Sequence, residues 1–122
     1  MVSASDRIET GIEGRLERVV DSDLITMHVG GKGVFATPAM IGLMEMTSHR
    51  SVEPLLPEGH TTVGYEVHVR HLAPAAPGST VVVTSVLTEV KGNKLYFDVA
   101  CHQGEVLLGS GTHKRAIVPA TF

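Results

Sequence analysis

Hydrophobic and polar residues alternate along the second half of the chain. Between residues 61 and 71 one face of the pattern carries Val63, Tyr65, Val67, Val69 and His71. Strict alternation predicts a half-buried β-strand. Three further strands, rich in β-branched residues and joined by short turns that contain glycine, are predicted over residues 79–90, 95–102 and 106–118.

The stretch before this region has helical signals. Thr37 is a favourable N-cap residue, and Pro38 suits the first helical position. Among the eight residues after Pro38 the only charged one is Glu45, which predicts a buried helix that is apolar on nearly every side. Pro54 ends the helix, giving a range of about 38–52. Because a buried carboxylate is costly unless it is paired or functional, Glu45 is the most informative residue of this helix.

The order of elements predicts the fold class. An edge-like strand is expected over residues 12–20, after a loose start over residues 1–10, and a turn-rich segment covers residues 21–33. One long apolar helix against one antiparallel sheet is an α+β two-layer arrangement, and a sheet wrapped around such a helix is the hotdog architecture. The chain, 1–122, is expected to be a single domain of this kind. The open face or edge of its sheet favours pairing with a second subunit.

Composition and charge exclude several functions. The chain is 43% hydrophobic and 19% charged with a net charge of −3, so it has no basic footprint for nucleic acid and no cationic cluster for a membrane surface. No apolar stretch predicts a signal peptide or a transmembrane helix. The single cysteine, Cys101, excludes an internal disulfide, fits a cytoplasmic protein and is expected in the core.

Three side chains are candidates for chemistry. Glu45 lies about 12 Å along the helix from Thr37, and helical side chains lean toward the N-terminus, so its carboxylate is expected to lean toward Thr37. His71 is placed by the alternation at the end of a strand on the apolar face, where an imidazole suits acid–base work. The alternatives are a solvent-exposed or ion-paired Glu45, and a core His71 bonded to a backbone carbonyl.

Other polar motifs are weaker. The remaining histidines lack zinc-binding spacing, so no metal site is predicted, and the loop at 30–33 lacks both phosphate-binding fingerprints. The Gly-Ser-Gly sequence at 109–111 indicates a bulge or a close backbone approach, and Gly64 would allow a ligand carbonyl to approach the backbone. Free N–H groups at the helix start can stabilise an oxyanion. Together these features outline acyl transfer to water.

Three stretches resemble the fluoroacetyl-CoA thioesterase-like family of hotdog proteins: residues 34–45, 69–74 and 109–116. The resemblance implies a homodimeric hotdog fold and hydrolysis of acyl-CoA thioesters, with coenzyme A as part of the substrate and no other cofactor. It assigns the catalytic triad to Thr37, Glu45 and His71, and the backbone donor near the thioester carbonyl to Gly64. Phe35 and Arg115 are expected to bind substrate, and Lys114 or Arg115 to meet the phosphates of coenzyme A.

One departure from the family concerns the acyl group. The fluoroacetate-specific enzyme carries phenylalanines in a lid ahead of the helix, whereas residues 21–34 here contain none. A short- or medium-chain acyl-CoA is therefore the expected substrate. The nucleophile stays open: Glu45 either attacks the thioester or activates water, and Thr37 is the other candidate. The alternative function is a non-catalytic acyl-CoA binding or sensing module on the same fold; a hotdog hydratase is a weaker option, because no suitable Asp/His pair is found.

Overall fold

One α-helix lies against a five-stranded antiparallel sheet in the computed structural model, which describes residues 7–122. The helix is α1 (Thr37–Val52), and the strands are β1 (Glu13–Val19), β2 (Ile25–Thr26), β3 (Val34–Phe35), β4 (His60–His71), β5 (Thr80–Lys91), β6 (Lys94–Gln103) and β7 (Val106–Pro119). The large sheet has the order β1-β5-β6-β7-β4, and β2 pairs with β3 in a separate ribbon. Single 3₁₀ turns cover Ser22–Leu24 and Glu53–Leu55. The predicted two-layer α+β arrangement is confirmed.

The periodicity located the five long strands to within one residue at each end. It did not predict β2 and β3, because two residues are too few to show an alternating pattern. The loose start at residues 1–10 lies partly outside the described residues. Where the chain is described, Ile8 is already in the core with 5% exposure, and the amide of Gly11 donates to the carbonyl of Leu87 over 2.8 Å.

The start of α1 differs from the prediction. Ala36 occupies the N-cap position without a side-chain cap, and Thr37 is the first helical residue. The predicted N-cap role of Thr37 is therefore wrong, and its hydroxyl is used elsewhere. Pro38 falls in the first turn, where a missing N–H still costs nothing, and the helix ends at Val52 as predicted.

The helix is buried on one side rather than all round. Its buried residues are Met40, Leu43, Met44, Thr47, Ser48 and Val52, whereas Met46 is 42% exposed. The hydroxyls of Thr47 and Ser48 donate to carbonyls one turn earlier in the helix, over 2.7 Å and 2.9 Å. These bonds satisfy the two buried hydroxyls without partners from the sheet.

A β-bulge in β4 changes which residues face the helix. Gly64 pairs with Arg115 and Glu66 pairs with Lys114, so Tyr65 is an additional residue in the ladder. Tyr65 is 48% exposed, whereas Thr62 is buried with 4% exposure. The predicted inward position of Tyr65 is therefore wrong, since the bulge interrupts the alternation on which that prediction depended.

The core fills the space between α1 and the inner face of the sheet. Fully buried members include Met40, Met44, Leu87, Leu95 and Phe97. Cys101 is also in this core, with no exposed surface, which confirms its predicted position. None of the helices within residues 7–122 has the length and apolar character needed to cross a membrane.

The strand β7 passes very close to β4 at two glycines. A Cβ at Gly111 would collide with the backbone of His68 and Val69, and a Cβ at Gly109 would meet the side chain of Met40 and the carbonyl of Arg70. The close backbone approach predicted for this Gly-Ser-Gly sequence is confirmed.

We expect Gly111→Ala to lower the free energy of unfolding by about 1–3 kcal/mol or more, because the added methyl must displace backbone rather than a flexible side chain. Ser110→Ala is the matched control, since it changes the neighbouring residue, which has space for its side chain. Urea denaturation followed by circular dichroism measures both. Equal stability of the two variants would contradict the close approach of β4 and β7.

Burial raises the pKa of the Cys101 thiol to about 11, so almost no thiolate exists at pH 8. We expect the native protein to react only slowly with an aromatic disulfide reagent at that pH. In guanidinium chloride one thiol per chain should react rapidly, since Cys101 is the only cysteine. Fast labelling of native protein would show that the thiol is reachable.

Candidate active site

The start of α1 is held in place by two backbone hydrogen bonds. The amide of Phe35 donates to the carbonyl of Ala75 over 2.9 Å, and the amide of Ala36 donates to the carbonyl of Leu24 over 2.8 Å. On the facing side β4 ends at His71, and the next amide, that of Leu72, donates to the carbonyl of Leu108 over 2.7 Å. Thr37 and His71 are thus brought together by segments that are anchored independently.

Thr37 and His71 form a hydrogen-bonded pair. The distance from Thr37 Oγ1 to His71 Nδ1 is 2.8 Å. The ring of Phe35 packs edge-on against the imidazole, with 6.0 Å between centroids and an interplanar angle of 76°. Within the described part of the chain, His71 Nε2 is buried without a hydrogen-bond partner. A hydroxyl bonded to an imidazole in this way can exchange a proton with it.

A cavity of about 680 Å³ opens at this pair. Its walls come from the segment around β2 and β3, the start of α1 and the residues after β4: Thr26, His28, Val29, Val34, Phe35, Ala36, Thr37, Pro38, His71, Leu72, Ala73 and Pro74. None of these is an Asp, Glu, Lys or Arg. The cavity therefore suits an uncharged, largely apolar group next to the Thr37–His71 pair.

Glu45 lies away from that pair. Its Oε2 is 3.3 Å from the point that a Cβ on Gly64 would occupy, so the carboxylate faces the inner side of β4. The Glu45 carboxylate forms no hydrogen bond and no ion pair with any of the described residues, including Thr37 and His71. The three candidate side chains therefore do not meet within one chain, although Glu45 was predicted to lean toward Thr37. Thr37 contacts His71, whereas Glu45 lies next to Gly64.

The space next to Gly64 is too crowded for a side chain. A Cβ there would lie 2.9 Å from His113 Cε1 and 3.0 Å from Arg115 Nη1. Its predicted role as a backbone donor to a thioester carbonyl stays a prediction.

Arg115 is buried under the helix, with 7% exposure. Its Nε donates to Thr62 Oγ1 over 2.8 Å, and its Nη2 donates to the carbonyl of Thr62 over 2.9 Å. Burial lowers the pKa of the guanidinium, and the negative charge of Glu45 opposes that effect. This position does not favour the expected contact of Arg115 with phosphates of coenzyme A. Lys114 faces the other side of the sheet, where its Nζ is 2.9 Å from Glu66 Oε2.

His113 and Thr62 were not selected from the sequence. His113 is buried with 1% exposure, and its Nε2 lies 3.1 Å from Arg115 Nη1. The alternation of β7 places His113 on the same face as Ile117, so the sequence contained a signal for His113. For Thr62 the alternation was misleading, because the bulge turns the residues before Tyr65 to the opposite face, and Thr62 therefore points inward.

The other histidines do not assemble into a metal centre. His68, on the outer face, lies 3.7 Å from Glu66 as an exposed pair. In residues 7–122 no three His, Cys, Asp or Glu side chains lie in an arrangement that holds a metal ion.

Comparison with known proteins identifies the family. A family model described as fluoroacetyl-CoA-specific thioesterase matches residues 19–121. The fluoroacetyl-CoA thioesterase of Streptantibioticus cattleyicolor is 44% identical over 85 residues, which are 70% of this chain; the match spans 61% of the length of that curated relative.

Solved structures agree. A variant of the fluoroacetyl-CoA-specific thioesterase in complex with fluoroacetate and CoA is 34% identical, with a TM-score of 0.83 over 92% of this chain and 96% of that one. A hot-dog-like protein from Thermanaerovibrio acidaminovorans, 22% identical with a TM-score of 0.85, covers 94% of this chain and 87% of its own; it supports the fold alone. The predicted hotdog fold and the predicted resemblance are both confirmed. The chain belongs to the family of fluoroacetyl-CoA-specific thioesterases.

Proposed function

We propose that this protein hydrolyses a short- or medium-chain acyl-CoA thioester to a free acid and coenzyme A, in the cytoplasm. The observation that carries the proposal is the Thr37–His71 pair, with 2.8 Å between Oγ1 and Nδ1, at the wall of a cavity of about 680 Å³. Family membership supports the same chemistry. Coenzyme A enters as a portion of the substrate, and no further cofactor is proposed.

The residues that line the cavity limit which acyl groups it can accept. Without a charged wall residue, a second carboxylate on the acyl chain would lose its hydration with nothing to replace it. A neutral acyl chain therefore fits better than a dicarboxylic one. The loop in front of Thr37 presents two apolar side chains, Met27 and Val29, which are 59% and 60% exposed. Phe35 forms part of the cavity wall beside His71.

The reaction needs a proton shuttle and an activated oxygen. In one route Glu45 takes a proton from water, the water oxygen bonds to the acyl carbon, and the C–S bond breaks. In the other, Glu45 attacks the carbonyl directly, and water then opens the resulting anhydride. In both, His71 protonates the leaving thiolate, Thr37 positions the imidazole, and the N–H groups at the start of α1 stabilise the oxyanion.

We further propose a homodimer in which each site takes residues from both chains. β4 is an edge strand of twelve residues, and a long open edge favours pairing with a second copy. Gly64 and His71 are seven residues apart, about 23 Å along an extended strand. Antiparallel self-pairing of β4 centred midway between them places His71 opposite the partner's Gly64, and hence near the partner's Glu45.

Substitution of the acid tests the activity. We expect the purified protein to release thiol from uncharged short- or medium-chain acyl-CoAs, detected with a thiol-reactive dye, and Glu45→Gln to lower kcat about 10²–10⁴-fold. Glu89→Gln is the matched control, because Glu89 is exposed and paired with Lys91 at 3.2 Å. Thermal stabilisation by acyl-CoA without thiol release would favour the binding module instead. Full activity of Glu45→Gln would remove Glu45 from the mechanism.

Mixing two inactive variants tests the shared site. Thr37→Ala and Glu45→Gln are unfolded together, refolded as a mixture and assayed. If sites are shared, a mixed dimer holds one intact site, and a statistical mixture recovers about a quarter of the unaltered activity. No recovery, with mixed dimers present by mass spectrometry, would place all three residues in one chain; a monomeric mass in light scattering would exclude the homodimer.

A further inference from the structure

His113 has a hydrogen-bonding pattern that fixes its tautomer. Its Nδ1 lies 2.9 Å from the carbonyl oxygen of Glu66, and its Nε2 lies 3.1 Å from Arg115 Nη1. A carbonyl only accepts and a guanidinium only donates. Nδ1 must therefore carry the proton, and Nε2 must be the acceptor. Both partners require the same neutral tautomer.

The surroundings of this imidazole favour its neutral form. Burial lowers the pKa of His113, and the charge of Arg115 lowers it further, while the Glu66 carbonyl and the charge of Glu45 oppose the shift. The ring of Phe97 stacks on it with 6.4 Å between centroids. A proton on Nε2 would point at the guanidinium and remove the only acceptor that His113 offers it.

The accepted bond determines where Arg115 Nη1 lies. Nε and Nη2 of Arg115 are directed to Thr62, and Nη1 is directed to His113. Arg115 Nη1 is 3.0 Å, and Glu45 Oε2 is 3.3 Å, from the Cβ point of Gly64. The two charged atoms are therefore within about 6.3 Å of each other, a range in which a cation stabilises a carboxylate.

We propose that His113 is a positioning residue of the thioesterase site: its Nε2 holds the guanidinium of Arg115 beside Gly64, so that the positive charge faces Glu45. The inference rests on the proposed function, in which Glu45 is the reacting carboxylate. His113 itself touches no reacting atom. It acts through Arg115.

The other ionisable groups near this cluster lie at its far end. His49 Nδ1 on α1 is 3.4 Å from Arg115 Nη2, and His49 Nε2 is 3.4 Å from Glu53 Oε2. The carboxylate of Glu66 is on the outer face, where it pairs with Lys114. Nη1 is therefore the part of the guanidinium whose position His113 controls.

Two substitutions separate the acceptor from the donor. In His113→Gln the side-chain amide oxygen reaches the position of Nε2 and can still accept from Arg115. In His113→Asn the shorter amide reproduces Nδ1 and its bond to the Glu66 carbonyl, but has no atom at Nε2. We expect His113→Asn to lower kcat about tenfold or more with KM nearly unchanged, and His113→Gln to stay within about threefold of the unaltered protein.

The pH profile gives a readout that a merely structural role would not change. Loss of a nearby cation raises the pKa of a carboxyl group. The acidic limb of the kcat/KM profile should therefore move to higher pH in His113→Asn and stay in place in His113→Gln. Equal losses in both variants with an unmoved limb would overturn the proposal.

Nuclear magnetic resonance makes the test independent of turnover. In the unaltered protein, ¹⁵N spectra should show His113 with the proton on Nδ1 and with Nε2 unprotonated. A proton on Nε2 would overturn the proposal. The tautomer is read in the unaltered protein, so the proposal is tested even if His113→Asn does not fold. Absence of thiol release by the unaltered protein would refute the proposed function and leave these spectra to decide the position of Arg115.

Discussion

The geometry of the site depends on the β-bulge at Tyr65. Side chains alternate along a strand, so two residues separated by an odd number of positions face opposite sides. Gly64 and His71 are seven positions apart, yet both face α1, because Tyr65 is the additional residue in the β4–β7 ladder. Without that extra residue in the count, a regular strand of this length would have turned one of the two away from the helix. Because of this one bulge, Gly64 with the neighbouring carboxylate of Glu45, and the Thr37–His71 pair, all lie on the same side of β4.

The fold was predictable from the sequence where burial imposes a period. The five long strands and the end of α1 follow from alternation, β-branched residues and Pro54, and these signals are local. What failed was decided by distant partners. The bulge lies in the pairing of β4 with β7, which is some fifty residues later in the chain, and the local sequence around Tyr65 does not indicate it. β2 and β3 exist because Phe35 pairs with Ile25, a contact too short to produce a pattern. The N-cap prediction failed because the hydroxyl of Thr37 finds an imidazole 34 residues away.

The candidate site was predicted residue by residue, but not as a geometry. Thr37 and His71 were expected to face the same cleft, and the 2.8 Å bond between them agrees with that expectation. Glu45 was expected to join them by leaning along its own helix. A rise of about 12 Å over eight residues is more than a glutamate side chain spans, so an intrachain triad was difficult from the start. The edge position of β4 is the basis of the proposed alternative, in which a two-fold axis at that edge would bring the end of one strand next to the start of its copy.

The presence of Glu45 on an otherwise apolar helix has an electrostatic explanation in Arg115, which lies on the inner face of the sheet beneath α1. A buried guanidinium is tolerated only when its donors are satisfied, and Thr62 and His113 together accept from all three nitrogens of Arg115. Neither acceptor is ionised, so the positive charge is solvated by hydrogen bonds without being neutralised. It remains available to Glu45 across the bare backbone of Gly64. A carboxylate or a protonated imidazole in place of His113 would have cancelled or repelled that charge. A neutral acceptor is the side chain that fixes the cation and preserves its field, which is why the tautomer of His113 matters to a residue that it does not touch.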